Sequence, residues 1–262
     1  MAGKFETILV ERDGDVLTIT MNRPERLNAC PPNMADEIFA ALRDLGDARA
    51  VLLRGEGRAF CSGADLAAKA ERSIGGGEGA FTALNQSYNP MMVTLATLPV
   101  PVVAAVQGPA AGIGCSMALA ADFVIAGKSG YFLQAFVNIG LVPDGGSSWM
   151  LPRLIGMAQA TRMMMLGEKI HGEEAERIGM IYKCVEDESL SSEAEALARK
   201  LAAGPTVALG HMKQNIRDGL EASFASTLAA EARAQRLAGN SSDAAEGGRA
   251  FLEKRKPEFK GE

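Results

Sequence analysis

The chain has 262 residues, 47% of them hydrophobic and 23% charged, with a formal net charge of −5. That is enough to bury one sizeable core with an appended helical piece. The absence of a basic stripe argues against a nucleic-acid partner, and no apolar run reaches the roughly 18 residues of a membrane span.

In chain order, residues 7–10 and 16–20 are β-rich runs around Asp13-Gly14-Asp15, which predicts a hairpin. Pro31-Pro32-Asn33 then starts a helix pattern through Met34, Ile38, Ala41, Leu42 and Leu45, stopped at Gly46. Residues 50–54, 102–106 and 123–126 are short apolar strands. Strand and helix recurring in this way predict parallel pairing with helical crossovers. Between them, residues 67–88 are polar and carry glycines at 75, 76, 77 and 79. The stretch reads either as a loose surface connection or as a flap over a pocket. From about residue 157 the pattern turns mostly helical, with helices predicted over 189–203, 205–218, 221–237 and 242–256. The third of these has an apolar face too small to stand alone and must dock on the core or on another subunit. The expected division is a core over 1–200 and a helical region over 201–262.

Cys30, Cys61, Cys115 and Cys184 are far apart and form no CxxC pair or metal-ligand spacing, so they read as free thiols in a reducing cytoplasm, with no metal expected. The N-terminus has no basic stretch followed by an apolar run, and no signal peptide is expected. His171 and His211 are the two histidines. Both lie on helical stretches with no acidic or cysteine partner at a metal-like spacing, so they read as surface or capping residues rather than catalysts.

Three segments carry candidate chemistry. Residues 58–66 include Phe60-Cys61-Ser62-Gly63-Ala64-Asp65, and residues 106–118 include Gly108, Gly112, Ile113, Gly114 and Ser116. Each follows a predicted strand and leads toward a helix. Glycines there let the backbone approach a ligand, and two N–H groups converging on one oxygen would make an oxyanion hole. Phosphate binding or tight packing would use the same glycines, but neither segment fits a nucleotide-binding glycine pattern. The third segment is Pro143-Asp144-Gly145-Gly146. It reads as a turn, or as a carboxylate placed among apolar walls where proton transfer is favoured. Asp65 reads as a loop-fixing and helix-capping residue. Phe132 and Trp149 read as core or pocket wall.

Together and in this order, residues 22–29, 60–66, 108–115, 140–143 and 251–259 resemble the crotonase superfamily of enoyl-CoA hydratases and isomerases. The resemblance runs over nearly the whole chain. It implies an α/β fold, a spiral of ββα repeats with C-terminal helices that drive trimer formation, often doubled to a hexamer. It also implies an acyl-CoA thioester as substrate, with no further cofactor. Carried over residue by residue, the backbone N–H groups of Ala64 and Ile113 would hold the thioester oxygen. Asn28, Ala29 and the Phe60–Ser62 stretch would line the nucleotide side of the CoA, and Arg26 would contact phosphate. Gly63, Gly112, Ser116, Phe136 and Pro143 count with the substrate-binding residues, as do Phe251 and Lys254, with Phe259, near the CoA.

The departures from the hydratase pattern matter most. Hydratases of this family carry two water-activating glutamates, and their positions are occupied here by Ser116 and Phe136, neither of which can act as a carboxylate base. The carboxylate that remains is Asp144. The run 143–153 looks most like the epoxyphenylacetyl-CoA isomerase version of the family. This implies an isomerase that shifts a double bond, or opens a ring epoxide, with one aspartate as acid/base and Phe136 as an apolar wall. A hydratase with a different base and a non-catalytic acyl-CoA-binding member are the alternatives. A dehalogenase would need a pocket histidine.

Overall fold

The computed structural model describes residues 5–65 and 76–262. Strands β1 (Ile8–Asp13) and β2 (Val16–Met21) form the expected hairpin, with Asp13 opposite Val16. Helix α1 (Pro32–Arg43) leads to β3 (Ala50–Gly55). A helical rod follows, made of α2 (Gly76–Ala83), a π-helical turn (Leu84–Tyr88) and α3 (Asn89–Thr97). Next come β4 (Val102–Val106), β5 (Pro109–Ala111), α4 (Ile113–Leu119), β6 (Phe123–Gly127) and β7 (Tyr131–Leu133). A 3₁₀ turn (Ala135–Ile139) precedes α5 (Ser147–Leu166), which breaks at Gly156. The chain continues through β8 (Ile170–His171), α6 (Gly172–Arg177) and β9 (Lys183–Val185). It ends with α7 (Leu190–Ala202), α8 (Thr206–Gly219), α9 (Phe224–Gly239) and α10 (Ser242–Glu253).

The larger sheet runs β1-β2-β3-β4-β6-β9, parallel after the first pair, and a smaller one runs β5-β7-β8. Strict alternation sorts the larger sheet's side chains between two cores. Leu17, Ile19, Val51, Leu53, Val102, Ala104, Val106, Val124 and Ala126 face the main core with Met34, Ile38 and Leu42 of α1. Val16, Ala50, Leu52, Val103, Ala105 and Ile125 face the other way, onto Leu190, Ala194, Ala198 and Ala202 of α7. That stripe recurs every four residues, and its alanines let α7 lie close on the strands.

Two sequence expectations need correction. The polar stretch 67–88 is helical from Gly76 onward, while residues 67–75 fall outside those described. Ala83, Tyr88, Met91 and Leu95 are buried on one face of the rod. That packing outweighs the low helix propensity of the glycines. The region after 157 is also less uniformly helical than expected: β8 pairs with β7, and β9 extends the larger sheet.

The C-terminal helices are tied down by polar contacts. Lys213 of α8 is buried and donates to Asp122 Oδ2 at 2.7 Å, and the same oxygen accepts the Val102 N–H at 2.8 Å. Burial lowers the Lys213 pKa, and the Asp122 charge opposes that shift. Beyond α10 the tail folds back. Buried Asp243 accepts the Lys260 and Gly261 N–H groups, and Glu246 takes Arg255 and the Glu258 N–H.

Two outcomes follow. Asp122→Asn leaves the Lys213 charge buried without its partner and should lower unfolding free energy by about 3–5 kcal/mol, read from a denaturant titration. Glu246 is held at a pKa of about 2, against an ordinary 4.5, by the Arg255 hydrogen bonds and the Glu258 N–H. A carboxyl depressed in the folded state contributes stability that is whole above its ordinary pKa and fades as pH falls toward the lowered one. Amide exchange at Glu258 should therefore be faster in Glu246→Gln than in wild type at neutral pH, and the difference should shrink as pH drops through that window.

Candidate active site

Two backbone segments leave the C-terminal ends of adjacent parallel strands, the usual place for a ligand in such sheets. After β3, the chain runs beside the segment that follows β4. Phe60 N–H donates to Gln107 O, Cys61 N–H to Pro109 O and Ala111 N–H to Cys61 O, at 2.8 to 2.9 Å. Their approach is closer than side chains permit. A Cβ on Gly114 would lie 2.4 Å from Cys61 O and 2.7 Å from Cys61 Cβ, while one on Gly112 would stand in ordinary contact, 3.8 Å from Gly63 Cα. Gly112 has φ 53° and ψ −124°, a backbone essentially reserved for glycine.

This geometry presents two N–H groups. Ala64 bridges Cys30, but the bonds of that bridge run through the Gly63 carbonyl and the Asp65 N–H, leaving the Ala64 N–H out of it. Ile113 opens α4, where the first N–H groups find no carbonyl within the helix. Both residues line a cavity of about 370 Å³. Its other walls are Ala80, Ala83, Leu84 and Tyr88 of the helical rod, Ala135 and Phe136 of the 3₁₀ turn, and the loop Leu141–Asp144.

The 23–30 turn buttresses the Ala64 segment. Leu27 and Asn28 both have left-handed backbone (φ 51° and 53°), which Asn tolerates and Leu rarely adopts. The Asn28 side chain holds the turn, accepting the Arg23 N–H and donating to Glu56 O and Ala59 O. Arg23 reaches across to Asp65 Oδ2 at 2.8 Å and to Ala29 O. Asp65 thus has the loop-fixing role expected of it, while the helix it was expected to cap falls in residues outside those described.

Asp144 is carried to the cavity by two left-handed glycines, Gly145 (φ 61°) and Gly146 (φ 85°). A Cβ on Gly145 would meet Ile113 Cδ1 at 2.5 Å and Ser116 Cβ at 2.8 Å, so the loop lies flush against α4. Among the described residues lining the cavity, Asp144 is the one carboxylate, and none is a histidine, lysine, arginine or cysteine. The Tyr88 hydroxyl donates to Cys30 O at 2.7 Å. Burial pushes the Cys61 and Cys115 thiols up to about 12, which keeps them neutral and unreactive.

Of the residues singled out from sequence, Ser62, Gly63, Ala64, Gly112, Ile113, Phe136, Pro143 and Asp144 meet at this cavity. The Phe136 ring fills the space beside Gly112, 3.5 Å from where a Cβ would stand. Other residues named from the resemblance do not line it. Phe60 is fully buried in the main core, and the Asn28 side chain is enclosed in the turn it holds. Ser116 is fully buried, bonded to the Asp144 carbonyl rather than facing the cavity. Arg26 is exposed beside the mouth, where its carbonyl accepts Ser62 Oγ, and Ala29 is half-buried in the same turn. Phe251 and Lys254 are exposed at the end of α10 and are not among the residues lining the cavity, and Phe259 packs toward Gly247. Phe132 is core, and Trp149 lies on the main core with its indole N–H on Glu221. His171 precedes α6 beside the Tyr131 ring. Sequence reading missed Ala80, Ala83, Leu84 and Tyr88. The available signal was their three- and four-residue spacing, masked by the glycine run just before them.

The chain is similar to known proteins along its length. The family model Enoyl-CoA hydratase/isomerase matches residues 11–262. A "Probable enoyl-CoA hydratase" of Rhodobacter capsulatus is 45% identical over 258 residues, 98% of this chain and 99% of its own length. The 1,2-epoxyphenylacetyl-CoA isomerase of Escherichia coli is 42% identical over 260 residues, again 98% and 99%. The crystal structure of an enoyl-CoA hydratase from Bacillus anthracis superposes with a TM-score of 0.91 at 30% identity, covering 98% of this chain and 100% of that one. The chain is therefore an enzyme of the enoyl-CoA hydratase/isomerase family, within the crotonase superfamily whose α/β fold it shares.

Proposed function

We propose that this enzyme is an isomerase of unsaturated acyl-CoA thioesters, with Asp144 as its single acid/base. The observation that carries this reading is the cavity's lining, which among the described residues sets one carboxylate between apolar walls, with Ala64 and Ile113 on the same wall. In the proposed step, the thioester oxygen of a 3-enoyl substrate accepts from Ala64 and Ile113. Asp144 takes a proton from C2. The charge moves onto the thioester oxygen as a dienolate, where fixed donors in a dry site stabilise it. The protonated Asp144 then returns the proton at C4, giving the conjugated 2-enoyl thioester. No water takes part, and Phe136, Leu84 and Leu141 help to exclude it. The E. coli relative's name supports the isomerase class and extends it to a ring epoxide.

Hydration is the competing reading, supported by the name of the R. capsulatus relative. It would require Asp144 alone to activate water in a predominantly apolar cavity.

Purified wild type should convert trans-3-enoyl-CoA to the conjugated isomer, followed by absorbance, and Asp144→Asn should lower the rate by about 10²- to 10⁴-fold. Rapid hydration of a 2-enoyl-CoA without isomerisation would replace this reading with the hydratase one. The hole itself is testable through Gly114→Ala. Its methyl would press on the Cys61 backbone and wedge the Ile113 and Ala64 segments apart. It should cost about 1–3 kcal/mol of stability by overpacking and lower kcat by about 10- to 100-fold through misplaced donors. An unchanged kcat in the folded variant would contradict that geometry.

A further inference from the structure

Behind Asp144 lies a line of buried polar side chains that the cavity lining does not include. Gln134, Ser147 and Ser116 are each fully buried. Gln134 Nε2 lies 2.7 Å from Ser147 Oγ, Ser147 Oγ lies 2.7 Å from Ser116 Oγ, and Ser116 Oγ lies 2.9 Å from the Asp144 carbonyl oxygen. The same carbonyl accepts the Ser147 N–H at 3.2 Å.

Proton counting fixes the direction of this line. Three contacts need three protons, and the two hydroxyls carry one each. The third must come from the Gln134 amide, so Gln134 donates to Ser147, Ser147 to Ser116, and Ser116 to the Asp144 carbonyl. The longer contact of Ser116 Oγ to Gly112 O, 3.3 Å, shares that last proton. Turning the amide over would place Gln134 Oε1 against Ser147 and leave two lone pairs facing each other at one of the three contacts. In the observed order Gln134 Oε1 is buried without a hydrogen-bond partner among the described residues. A buried carbonyl left unmet is unfavourable, and holding the amide this way round is what completes the line.

The line ends where the backbone needs restraint. Gly145 and Gly146 follow Asp144 and impose little rigidity of their own. Gln134 sits between β7 and the 3₁₀ turn, Ser116 lies on α4 one turn after Ile113, and Ser147 opens α5. We infer that Gln134, Ser147 and Ser116 form a positioning relay that joins these three elements to the Asp144 peptide and sets the aim of the aspartate relative to the Ile113 N–H. The inference rests on the proposed role of Asp144 as acid/base.

The test is steady-state isomerase kinetics on the full-length protein, comparing wild type with Ser147→Ala, Ser116→Ala, the double variant, Ser147→Thr and Asp144→Asn, each checked by thermal melting. A misaimed base weakens the transition state and not ground-state binding, so kcat should fall about 10- to 100-fold in each alanine variant while KM stays within about twofold. Because both hydroxyls act on one peptide, the double variant should lose no more than the worse single one. Ser147→Thr keeps the hydroxyl and should retain most of the turnover. Wild-type kcat in folded alanine variants, losses confined to KM, or losses that multiply in the double variant would overturn the relay. If one alanine variant fails to fold, the other decides on the kcat and KM criteria. Retained turnover in Asp144→Asn would overturn the underlying acid/base reading and the relay with it. Abolished turnover there, with wild-type kcat in the serine variants, would overturn the relay alone.

Discussion

The site depends on one constraint, the approach of two backbone segments to a distance that no Cβ could occupy. Where the chain leaves β3 and β4, Cys61 meets Gly114, its carbonyl against bare methylene. The strands arrive in parallel and in register, so the segments leave side by side. The ladder through Cys61 and Ala110 keeps them together. From this pairing come the placement of Ala64 and Ile113 on the cavity wall, the Gly112 backbone that only glycine adopts, and the gap that the Phe136 ring covers. The 23–30 turn, with Asn28 enclosed and Arg23 on Asp65, holds the Ala64 side in place.

On this frame the chemistry is sparse. The described cavity wall is apolar except for Asp144, the Asn138 amide, the bonded Tyr88 hydroxyl, Ser62 and the backbone. Polar side chains close to the reacting region lie behind it, where Gln134, Ser147 and Ser116 hold the loop rather than face a ligand. Ser116 shows how one position can change work within a family scaffold. The resemblance places a water-activating carboxylate there, and here a small hydroxyl supports the backbone of a different acid. A fold that hosts many reactions does so by such local exchanges.

Much of this was legible in the chain. Apolar runs gave away β1 to β4 and β6, Asp13-Gly14-Asp15 the hairpin, and apolar residues at helical spacing the helix over 189–203. The two glycine segments and Asp144 were readable only together and in order, since Pro-Asp-Gly alone is ordinary turn chemistry. The remainder depended on tertiary context. Helix formation from Gly76 is driven by the burial of Tyr88, Met91 and Leu95, which local propensity does not report. Phe60 and Phe136 both follow a strand by several residues, yet one is core and the other cavity wall. Asn28 looked like a ligand contact and is a turn lock. The hydroxyl line joins residues 13 to 31 positions apart, and its geometry is set by two left-handed glycines that no periodicity reveals.

The most direct measurement of the central claim is a crystal structure of the Asp144→Asn protein with trans-3-enoyl-CoA bound. The account predicts the thioester oxygen about 2.7–3.1 Å from both the Ala64 and Ile113 nitrogens. It also predicts C2 and C4 about 3–3.5 Å from one side-chain atom of residue 144. A thioester held away from the two amides, or reacting carbons beside some other ionisable group, would contradict it.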